Sequence, residues 1–264
     1  AFYRAPGGED GYVLSQGELA KKIEETLSLG GTQILLQGGM HPDLDMRFYE
    51  DMLRFIKEQF SIHIHGFSPP EIVHLAKMEK LEIEEVLARL QRSGLDSIPG
   101  GGAEILMDEV RSKISAKKCS SQEWLAVMES AHTLGMKTTA TMMFGHIETL
   151  EHRLEHLLKL RQLQERTTGF TAFIPWTFQP DNTRLKTKPA TAVDYLRTLA
   201  ISRLVLDNIP NLQVSWVTMG SGVAQVALQF GANDFGSTMM QENVGPAADV
   251  THTLSVEEIK TVIA

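Results

Sequence analysis

The sequence contains a single cysteine, Cys119, among its 264 residues. One thiol cannot close an internal disulfide, so a small disulfide-stapled scaffold is excluded. One thiol also cannot supply the several cysteines that hold an iron–sulfur cluster. The patterns H-x-x-H, H-E-x-x-H and G-x-S-x-G are absent as well, so the sequence predicts neither a zinc site nor a serine nucleophile within this chain.

Positive charge is also scarce. Lysine and arginine total 25 against 33 acidic residues, which gives a formal net charge of −8. Nucleic-acid-binding proteins are usually basic, so no nucleic acid is expected as a partner. No apolar run approaches the roughly 20 residues that span a bilayer, so no membrane partner is expected either. These absences favour a cytoplasmic enzyme that acts on a small molecule.

Strand-like and helix-like segments alternate along the whole chain, which predicts parallel strands joined by helices. Ser15 and Glu18 predict a capping box at the start of the first helix. We predict an α/β fold, a (β/α) TIM-type barrel that forms a single domain over residues 1–264; an open doubly wound sheet is the alternative. The first strand is expected to be missing, and the chain to be a fragment truncated at both ends. Strands are expected within residues 32–39, 61–67, 95–102, 137–145, 169–176, 212–216 and 233–237.

Three consecutive glycines stand out in GLDSIPGGGAEIL, residues 94–106. Glycine has no Cβ, so Gly100, Gly101 and Gly102 allow another group to approach the backbone closely. No Gly-Lys-Ser/Thr follows, which excludes the P-loop pattern, and the spacing is not G-x-G-x-x-G. A ligand-binding loop and a tight turn after a strand are both open at this point.

Small, polar and cyclic residues recur wherever a predicted strand ends. In a (β/α) barrel the carboxyl ends of the strands form the active site, so these loops predict one ring around a ligand pocket. Among the histidines, His41 and His146 follow glycines at such ends. His63 and His65 lie two apart and share one face of a strand. The strand ends read QGGMHP, HGFSPPE, SIPGGGAE, FGHIET, IPWTFQPDNT, SWVTMG and DFGST.

These loops resemble those of the radical S-adenosylmethionine (radical SAM) enzymes of the futalosine route to menaquinone. The stretch PGGGAEI is shared with two sister groups, the aminofutalosine synthases and the deazaflavin-forming FO synthases. HGFSPPE and FIPWTFQPDNT favour the group of dehypoxanthine futalosine cyclases. The matching stretches are AFYR at 1–4, LLQGGMHPDL at 35–44, HIHGFSPPEI at 63–72, GLDSIPGGGAEIL at 94–106, TTATMMFGHIET at 138–149, GFTAFIPWTFQPDNT at 169–183 and ANDFGSTMMQENV at 232–244.

The resemblance implies a radical reaction that needs S-adenosylmethionine, a [4Fe-4S] cluster and an external electron donor. A 5′-deoxyadenosyl radical would take the ribose C4′ hydrogen of dehypoxanthine futalosine. Ring closure onto the benzoate and loss of a proton and an electron would follow. The three cluster cysteines of the family precede the AFYR segment, so they are expected upstream of Ala1, and this chain is expected to be inactive by itself.

The resemblance also implies residues for the site. The Gln37–Gly39 carbonyls would hold the methionyl ammonium, Arg111 the methionyl carboxylate and Glu104 the ribose hydroxyls. Residues 141–148 would pack along the adenine, with Thr141 where the family usually has glycine. The sister reactions and a non-catalytic nucleoside-binding barrel are the alternatives. The implied cofactor-binding set is Gln37, Gly38, Gly39, Ser68, Ser97, Gly101, Glu104, Arg111 and Glu148, and the candidate proton acceptors, unranked, are His65, His146, Glu71 and Asp181.

Overall fold

A computed structural model describes residues 11–238 and 252–264. Within them the chain forms two compact units. The N-terminal unit comprises residues 11–101 and 122–138, and the C-terminal unit comprises residues 102–121, 139–238 and 252–264. The AFYR segment at residues 1–4 lies outside the described residues, and so do residues 239–244 of the ANDFGSTMMQENV segment. The single-domain interpretation of the sequence stays a prediction.

Strands and helices alternate as the sequence predicts. The strands are β1 (Gln33–Leu36), β2 (His63–Gly66), β3 (Ser97–Ile98), β4 (Lys137–Phe144), β5 (Phe170–Thr177) and β6 (Asn211–Leu212). The helices are α1 (Gln16–Ser28), α2 (Met46–Gln59), α3 (Pro69–Glu79), α4 (Ile83–Ser93), α5 (Asp108–Ile114), α6 (Ser121–Thr133), α7 (Leu150–Thr167), α8 (Ala192–Val205), α9 (Trp216–Ala227) and α10 (Val256–Ile263).

Local sequence explains where several helices begin. Glu18 N lies 3.3 Å from Ser15 Oγ, and Ser15 N donates to Glu18 Oε2 at 2.8 Å, so the predicted capping box of α1 is confirmed. Ser255 and Glu258 build the same arrangement at α10. These contacts satisfy backbone N–H groups that the first helical turn leaves without intrahelical partners.

Two helices and two strands differ from the prediction. No helix is predicted over α3, which begins with two prolines; proline is well tolerated in the first turn of a helix. The short helix α5 was missed as well. The strand expected at 212–216 stops at Leu212, since Trp216 begins α9. The strand expected at 233–237 is reduced to one bridge between Gln213 and Asp234.

The strands pair in chain order from β1 to β6. The pairs β1–β2, β2–β3, β3–β4 and β5–β6 are parallel. In the N-terminal unit, for example, His63 lies opposite Gln33 and His65 lies opposite Ser97. Parallel pairing brings the carboxyl ends of neighbouring strands to one edge, so in each unit the loops after the strands share that edge.

Each unit has its own apolar core. In the N-terminal unit the core side chains come from the inner faces of α2, α3 and α4 and from β2. In the C-terminal unit the core is built from β4, β5, α7 and α8. No described helix is both long and apolar enough to cross a membrane. Core residues of the two units include Leu53, Ile56, Ile64, Ile72, Val86 and Leu90, and Phe144, Leu157, Leu160, Phe170, Phe173, Tyr195 and Leu199, respectively.

A buried histidine in the C-terminal core predicts acid sensitivity. His156 on α7 is fully buried, and its Nδ1 accepts a hydrogen bond from Leu106 N at 3.0 Å. Burial, followed by the charges of Arg111 and Lys159, lowers the pKa of His156 to about 3. An unfolded histidine titrates near 6.5, so the stability that neutral His156 contributes is complete above that pH. It is lost as the pH falls from 6.5 towards 3.

We therefore expect the free energy of unfolding to fall by up to about 1.4 kcal/mol per pH unit in that window because of this group. Urea titrations of wild type and His156→Asn at several pH values measure the effect. Asparagine retains an acceptor for Leu106 N, so the variant should lose much of the slope while remaining folded. The exposed His252→Asn is the matched control. An equal slope in wild type and His156→Asn would contradict the prediction.

Candidate functional site

A buried carboxylate on α3 anchors the loop that follows β1. Glu71 Oε1 accepts a hydrogen bond from Gly38 N at 3.0 Å. Glu71 Oε2 accepts from Ser68 N at 2.8 Å and from Ser68 Oγ at 2.6 Å. Glu71 thus ties the Gln37–Gly39 segment to the first turn of α3. Residues 37–40 are themselves exposed, so their carbonyls can accept hydrogen bonds from a ligand.

Backbone strain marks three loops that follow strands. Phe67, Glu104 and Asn182 have φ values of 58°, 47° and 56°. Lys80 and Thr168 also have positive φ, but they terminate helices, where the left-handed conformation is common. Strain at non-glycine residues costs on the order of 1–3 kcal/mol and clusters at ligand sites. Its position here agrees with a site at the carboxyl ends of the strands.

Part of the triple-glycine loop is packed against the protein itself. A Cβ on Gly101 would lie 2.5 Å from Gln37 Nε2 and 3.3 Å from Ser68 Cβ. Trp124 Nε1 donates to Gly101 O at 3.2 Å. The group that comes close to Gly101 is therefore the Gln37 side chain. Three residues of the predicted cofactor-binding set, Gln37, Ser68 and Gly101, lie together in the N-terminal unit.

We expect Gly101→Ala to displace the Gln37 amide at a cost of about 1 kcal/mol, because the flexible end of a side chain must yield to the new methyl group. The Gln37 side-chain amide resonance, together with urea unfolding, measures both effects. Gly39→Ala is the stability control, since a Cβ there meets nothing within 4 Å. An unmoved Gln37 resonance and unchanged stability in Gly101→Ala would show that the packing is looser than the distances indicate.

Two histidines of β2 contact one hydroxyl group. His63 Nε2 and His65 Nδ1 each lie 2.7 Å from Ser97 Oγ on β3. The two side chains lie on one face of β2, so that prediction is confirmed. Their common partner was not foreseen, because Ser97 reaches them only through the register of the neighbouring strand.

Glu104, in the C-terminal unit, is a buried carboxylate with a lysine partner. Lys118 Nζ donates to Glu104 Oε1 at 2.6 Å, and the Glu104 side chain is only 8% exposed. Glu104 O also accepts from Met143 N at 2.9 Å, which joins this loop to β4. The predicted contact between Glu104 and ribose hydroxyls stays a prediction; a ligand there would share the carboxylate with Lys118.

Arg111 on α5 is buried and donates to backbone carbonyls. Its Nε and Nη2 donate to Cys119 O, and its Nη1 donates to Gly102 O and Ala103 O. The guanidinium therefore ties the end of the glycine loop to the segment before α6. The guanidinium nitrogens that would bind a methionyl carboxylate are already engaged with these carbonyls. The bidentate contact with that carboxylate stays a prediction.

The loop after β4 is built around Glu148. Glu148 Oε1 accepts from Gly145 N at 2.7 Å and from Arg153 Nε at 2.8 Å, while Oε2 accepts from His146 N at 2.9 Å. Burial by itself raises the pKa of Glu148, but hydrogen bonds from His146 and Gly145 outweigh it and hold the pKa at about 2. Glu148 is therefore ionised at neutral pH.

His146 packs against its own loop. Its side chain is fully buried; Nδ1 lies 2.9 Å from Glu148 Oε2, and Nε2 lies 3.1 Å from Met143 O. Phe178 packs edge-on against the ring at 6.0 Å between centroids. The catalytic role expected for His146 stays a prediction. Asp181, by contrast, is exposed in a turn closed by Thr183 N and Pro180 O.

The predicted site residues divide between the two units. Three further residues, which the sequence did not identify as site residues, donate hydrogen bonds to members of this set: Lys118, Trp124 and Arg153. No local pattern marks these three, because each meets its partner only in the fold. The N-terminal unit contains Gln37, Gly38, Gly39, His65, Ser68, Glu71, Ser97 and Gly101; the C-terminal unit contains Glu104, Arg111, His146, Glu148 and Asp181.

The described residues do not fit an iron–sulfur cluster. Cys119 is buried, and its backbone carbonyl is held by Arg111. Within residues 11–238 and 252–264, no three His, Cys, Asp or Glu side chains lie close enough together to hold a metal ion. S-adenosylmethionine fits better, because the exposed carbonyls of residues 37–40 suit an ammonium group and the buried carboxylates suit hydroxyl groups.

Comparison with known proteins adds the family. Residues 1–160 match the radical SAM superfamily, and residues 167–264 match the CofH/MqnC C-terminal region. A cyclic dehypoxanthine futalosine synthase of Halalkalibacterium halodurans is 51% identical over 100% of this chain and 72% of its own length. The synthase of the same name from Streptomyces coelicolor is 43% identical over 98% of this chain, which spans just under two thirds (66%) of that relative.

Archaeal relatives carry a different name. A 5-amino-6-(D-ribitylamino)uracil–L-tyrosine 4-hydroxyphenyl transferase of Archaeoglobus fulgidus is 43% identical over 96% of this chain and 75% of its own length. Among solved structures, methylornithine synthase (PylB) aligns with a TM-score of 0.66 at 16% identity, covering 95% of this chain and 71% of that chain. That likeness concerns the fold.

Proposed function

The chain belongs to the radical SAM superfamily, and from that premise we propose that it converts dehypoxanthine futalosine to cyclic dehypoxanthine futalosine. The observation that carries the proposal is the 51% identity with a synthase of that name over the whole chain. The family resemblance predicted from the strand-end loops is confirmed, and so are the (β/α) fold class and the prediction of an enzyme. The non-catalytic alternative is therefore dropped.

The N-terminal unit is proposed to hold the methionyl end of S-adenosylmethionine. When bound, this cofactor supplies the chemistry that removes a hydrogen atom from the substrate. The backbone of Gln37–Gly39 would accept the ammonium group, and Glu71 would keep that backbone in place through Gly38 N. Gly101 and Ser68 complete the proposed set in this unit; Ser97 is left out of it, because its hydroxyl group is held between His63 and His65.

The other residues of the predicted cofactor-binding set, Glu104, Arg111 and Glu148, belong to the C-terminal unit, and each is considered within that unit. Glu104 would accept hydrogen bonds from ribose hydroxyls while Lys118 holds its carboxylate. The main role proposed for Arg111 is positioning, because its guanidinium fixes the carbonyls at the end of the glycine loop. Glu148 likewise fixes the backbone at Gly145 and His146, along which the adenine would lie.

We expect Glu104→Gln to weaken S-adenosylmethionine binding by about 1.5–3 kcal/mol, the contribution of a charge-assisted hydrogen bond. Titration calorimetry of the whole protein with S-adenosylmethionine measures the affinity without requiring turnover. Glu109→Gln is the matched control, since Glu109 on α5 has a side chain that is 64% exposed. Equal affinities in wild type and Glu104→Gln would remove Glu104 from the cofactor site.

The reaction itself is tested by offering the protein encoded by the whole open reading frame each candidate substrate. With dehypoxanthine futalosine, ring closure removes two hydrogen atoms, so mass spectrometry should show a product two hydrogens lighter together with 5′-deoxyadenosine. The transferase named in the archaeal relatives is the second candidate, because identity to it also reaches 43%. Product formation only from 5-amino-6-(D-ribitylamino)uracil and tyrosine would favour that reaction, and turnover of neither substrate would leave aminofutalosine synthesis to be assayed.

A further inference from the structure

A continuous line of polar atoms runs along β2 and β3 in the N-terminal unit. His65 Nδ1 lies 2.7 Å from Ser97 Oγ, and the same oxygen lies 2.7 Å from His63 Nε2. A hydroxyl group donates one hydrogen bond and accepts others, so it can accept from one imidazole while donating to the second. The pair of histidines, two residues apart, spans roughly 6–7 Å along the strand.

The two ends of this line face different surroundings. His65 lies one residue before the end of β2, next to the loop that leads to Ser68 and Glu71. Among residues 11–238 and 252–264, none forms a hydrogen bond with His65 Nε2. His63 begins β2, and its side chain is 44% exposed in a cleft of about 640 Å³ at the amino ends of the strands.

Asp96 lies next to His63, at the solvent-exposed end of this line of polar atoms. His63 Nδ1 is 3.9 Å from Asp96 Oδ2, a separation that one water molecule can bridge. The same carboxylate oxygen accepts from Lys57 Nζ at 2.6 Å and from Ile64 N at 2.7 Å. These contacts fix Asp96 beside the cleft, where a proton that leaves His63 can reach solvent.

The charged and titratable groups around the line are few. Helix α2 contributes Lys57, the segment before β3 contributes Asp96, and the start of β4 contributes Lys137 opposite Ser97. Strand β1 places the uncharged Gln33 and Leu35 beside the histidines. Burial, and then the charge of His63, lowers the pKa of His65 to about 4, so His65 is neutral at pH 7. A neutral ring can exchange tautomers instead of storing a proton.

We propose that His65, Ser97 and His63 form a proton relay that carries the proton released by ring closure from the carboxyl end of β2 to the cleft at its amino end. The inference rests on the proposed function, since that reaction releases one proton as the aromatic ring is restored. Of the four candidate proton acceptors, His65 is the one that this geometry favours. Glu71 already accepts three hydrogen bonds, and His146 is enclosed by its own loop.

The proton balance closes without a further reactant. At the start, His65 carries hydrogen on Nδ1, Ser97 donates to His63 Nε2, and His63 carries hydrogen on Nδ1. A proton that arrives at His65 Nε2 moves the Nδ1 hydrogen to Ser97 Oγ. The serine hydrogen passes to His63 Nε2, and the Nδ1 hydrogen of His63 leaves through water to Asp96 or solvent. Both rings end neutral, in the other tautomer.

Ser97→Ala tests the relay, because it removes the bridging oxygen and keeps both imidazoles. The matched control is Ser93→Ala, a buried serine at the end of α4 in the same unit. Ser97→Thr, which retains a hydroxyl group, is the rescue variant. Nitrogen-15 NMR of histidine-labelled protein reports the tautomers of both rings. Turnover of dehypoxanthine futalosine in H₂O and D₂O reports the use of the relay.

If the relay operates, the wild type shows His65 protonated at Nδ1 and His63 accepting at Nε2, and Ser97→Ala removes this fixed pair of tautomers. Turnover should fall by about 100-fold with an unchanged KM for S-adenosylmethionine, a loss typical of a removed proton-transfer group. Ser97→Thr should restore most of it, and Ser93→Ala should match wild type. A raised KM for S-adenosylmethionine with unaltered turnover would assign Ser97 to cofactor binding and overturn the relay.

Unchanged turnover and an unchanged solvent isotope effect in Ser97→Ala would also overturn the proposal. Failure of the proposed function has a different result. In that case wild-type protein makes no cyclic product at all, while NMR still shows which tautomers His65 and His63 adopt. Tautomers other than His65 Nδ1–H and a His63 Nε2 acceptor reject the relay on their own, and these tautomers support it with another proton source.

Discussion

Replacing Arg111 with methionine is expected to lower the free energy of unfolding by about 3–5 kcal/mol. Arg111 is only 3% exposed, and its guanidinium donates to the carbonyls of Gly102, Ala103 and Cys119. Methionine fills much of the volume but donates nothing, so three carbonyls lose their charged partner. Each lost hydrogen bond to a charged group costs about 1.5–3 kcal/mol, and the costs are not fully additive.

Urea unfolding of the protein without ligand measures this effect. Arg47→Met is the matched control, because Arg47 is 84% exposed and should change stability by less than about 0.5 kcal/mol. Arg111→Lys should recover little, since one ammonium group cannot reach all the carbonyls that the planar fork reaches. If Arg111 served only to bind the methionyl carboxylate, the ligand-free stability of Arg111→Met would equal that of wild type. The experiment therefore separates positioning from direct cofactor binding.

Replacing Glu148 with glutamine is expected to cost about 3–5 kcal/mol, the usual loss when one partner of a buried ion pair is removed. The carboxylate is 1% exposed and holds Arg153 as well as two backbone N–H groups. Arg153 also donates to Asp194 and lies over the Phe144 ring, so it stays buried with one partner fewer.

The pH dependence of this loss follows from the lowered pKa of Glu148. A carboxylate with a folded pKa near 2 contributes stability that is complete above the unfolded value of 4.5 and is lost as the pH falls towards 2. The difference between wild type and Glu148→Gln should therefore be largest at neutral pH and shrink below pH 4.5. Glu151→Gln, at an exposed position of the same loop and helix start, is the control. A difference that does not depend on pH would place the effect in packing rather than in charge.

Most of the architecture follows from local sequence. Period-2 and helical patterns, with capping residues such as Ser15 and Glu18, define elements because the stabilising contacts lie within four residues. The secondary-structure prediction failed where one local sequence pattern is compatible with two structures. Pro69 and Pro70 fit a loop or a first helical turn, and only the cap provided by Ser68 and Glu71 selects the helix.

The candidate site could be predicted as a set of loops but not as a set of contacts. The strand-end motifs identify Gln37, Gly101 and Glu148, because glycines and carboxylates after strands are visible in the sequence. The partners of these residues are not visible: Gln37 lies 64 positions before the Gly101 that it packs against, and Arg153 belongs to the next helix. Such pairs form only when the register of the strands and the rotation of the helices are set.

The sequence by itself determined the alternation of strands and helices, the family and the scarcity of thiols, because each of these is carried by residue type and by short spacings. The tertiary structure decided what the buried charges do. In the folded chain the Arg111 guanidinium donates to backbone carbonyls, and Glu148 forms an ion pair with Arg153. The Ser97 hydroxyl group lies between His63 and His65. The physical reason is burial: a charged or polar group removed from water must find a partner, and the fold determines which partner lies within reach.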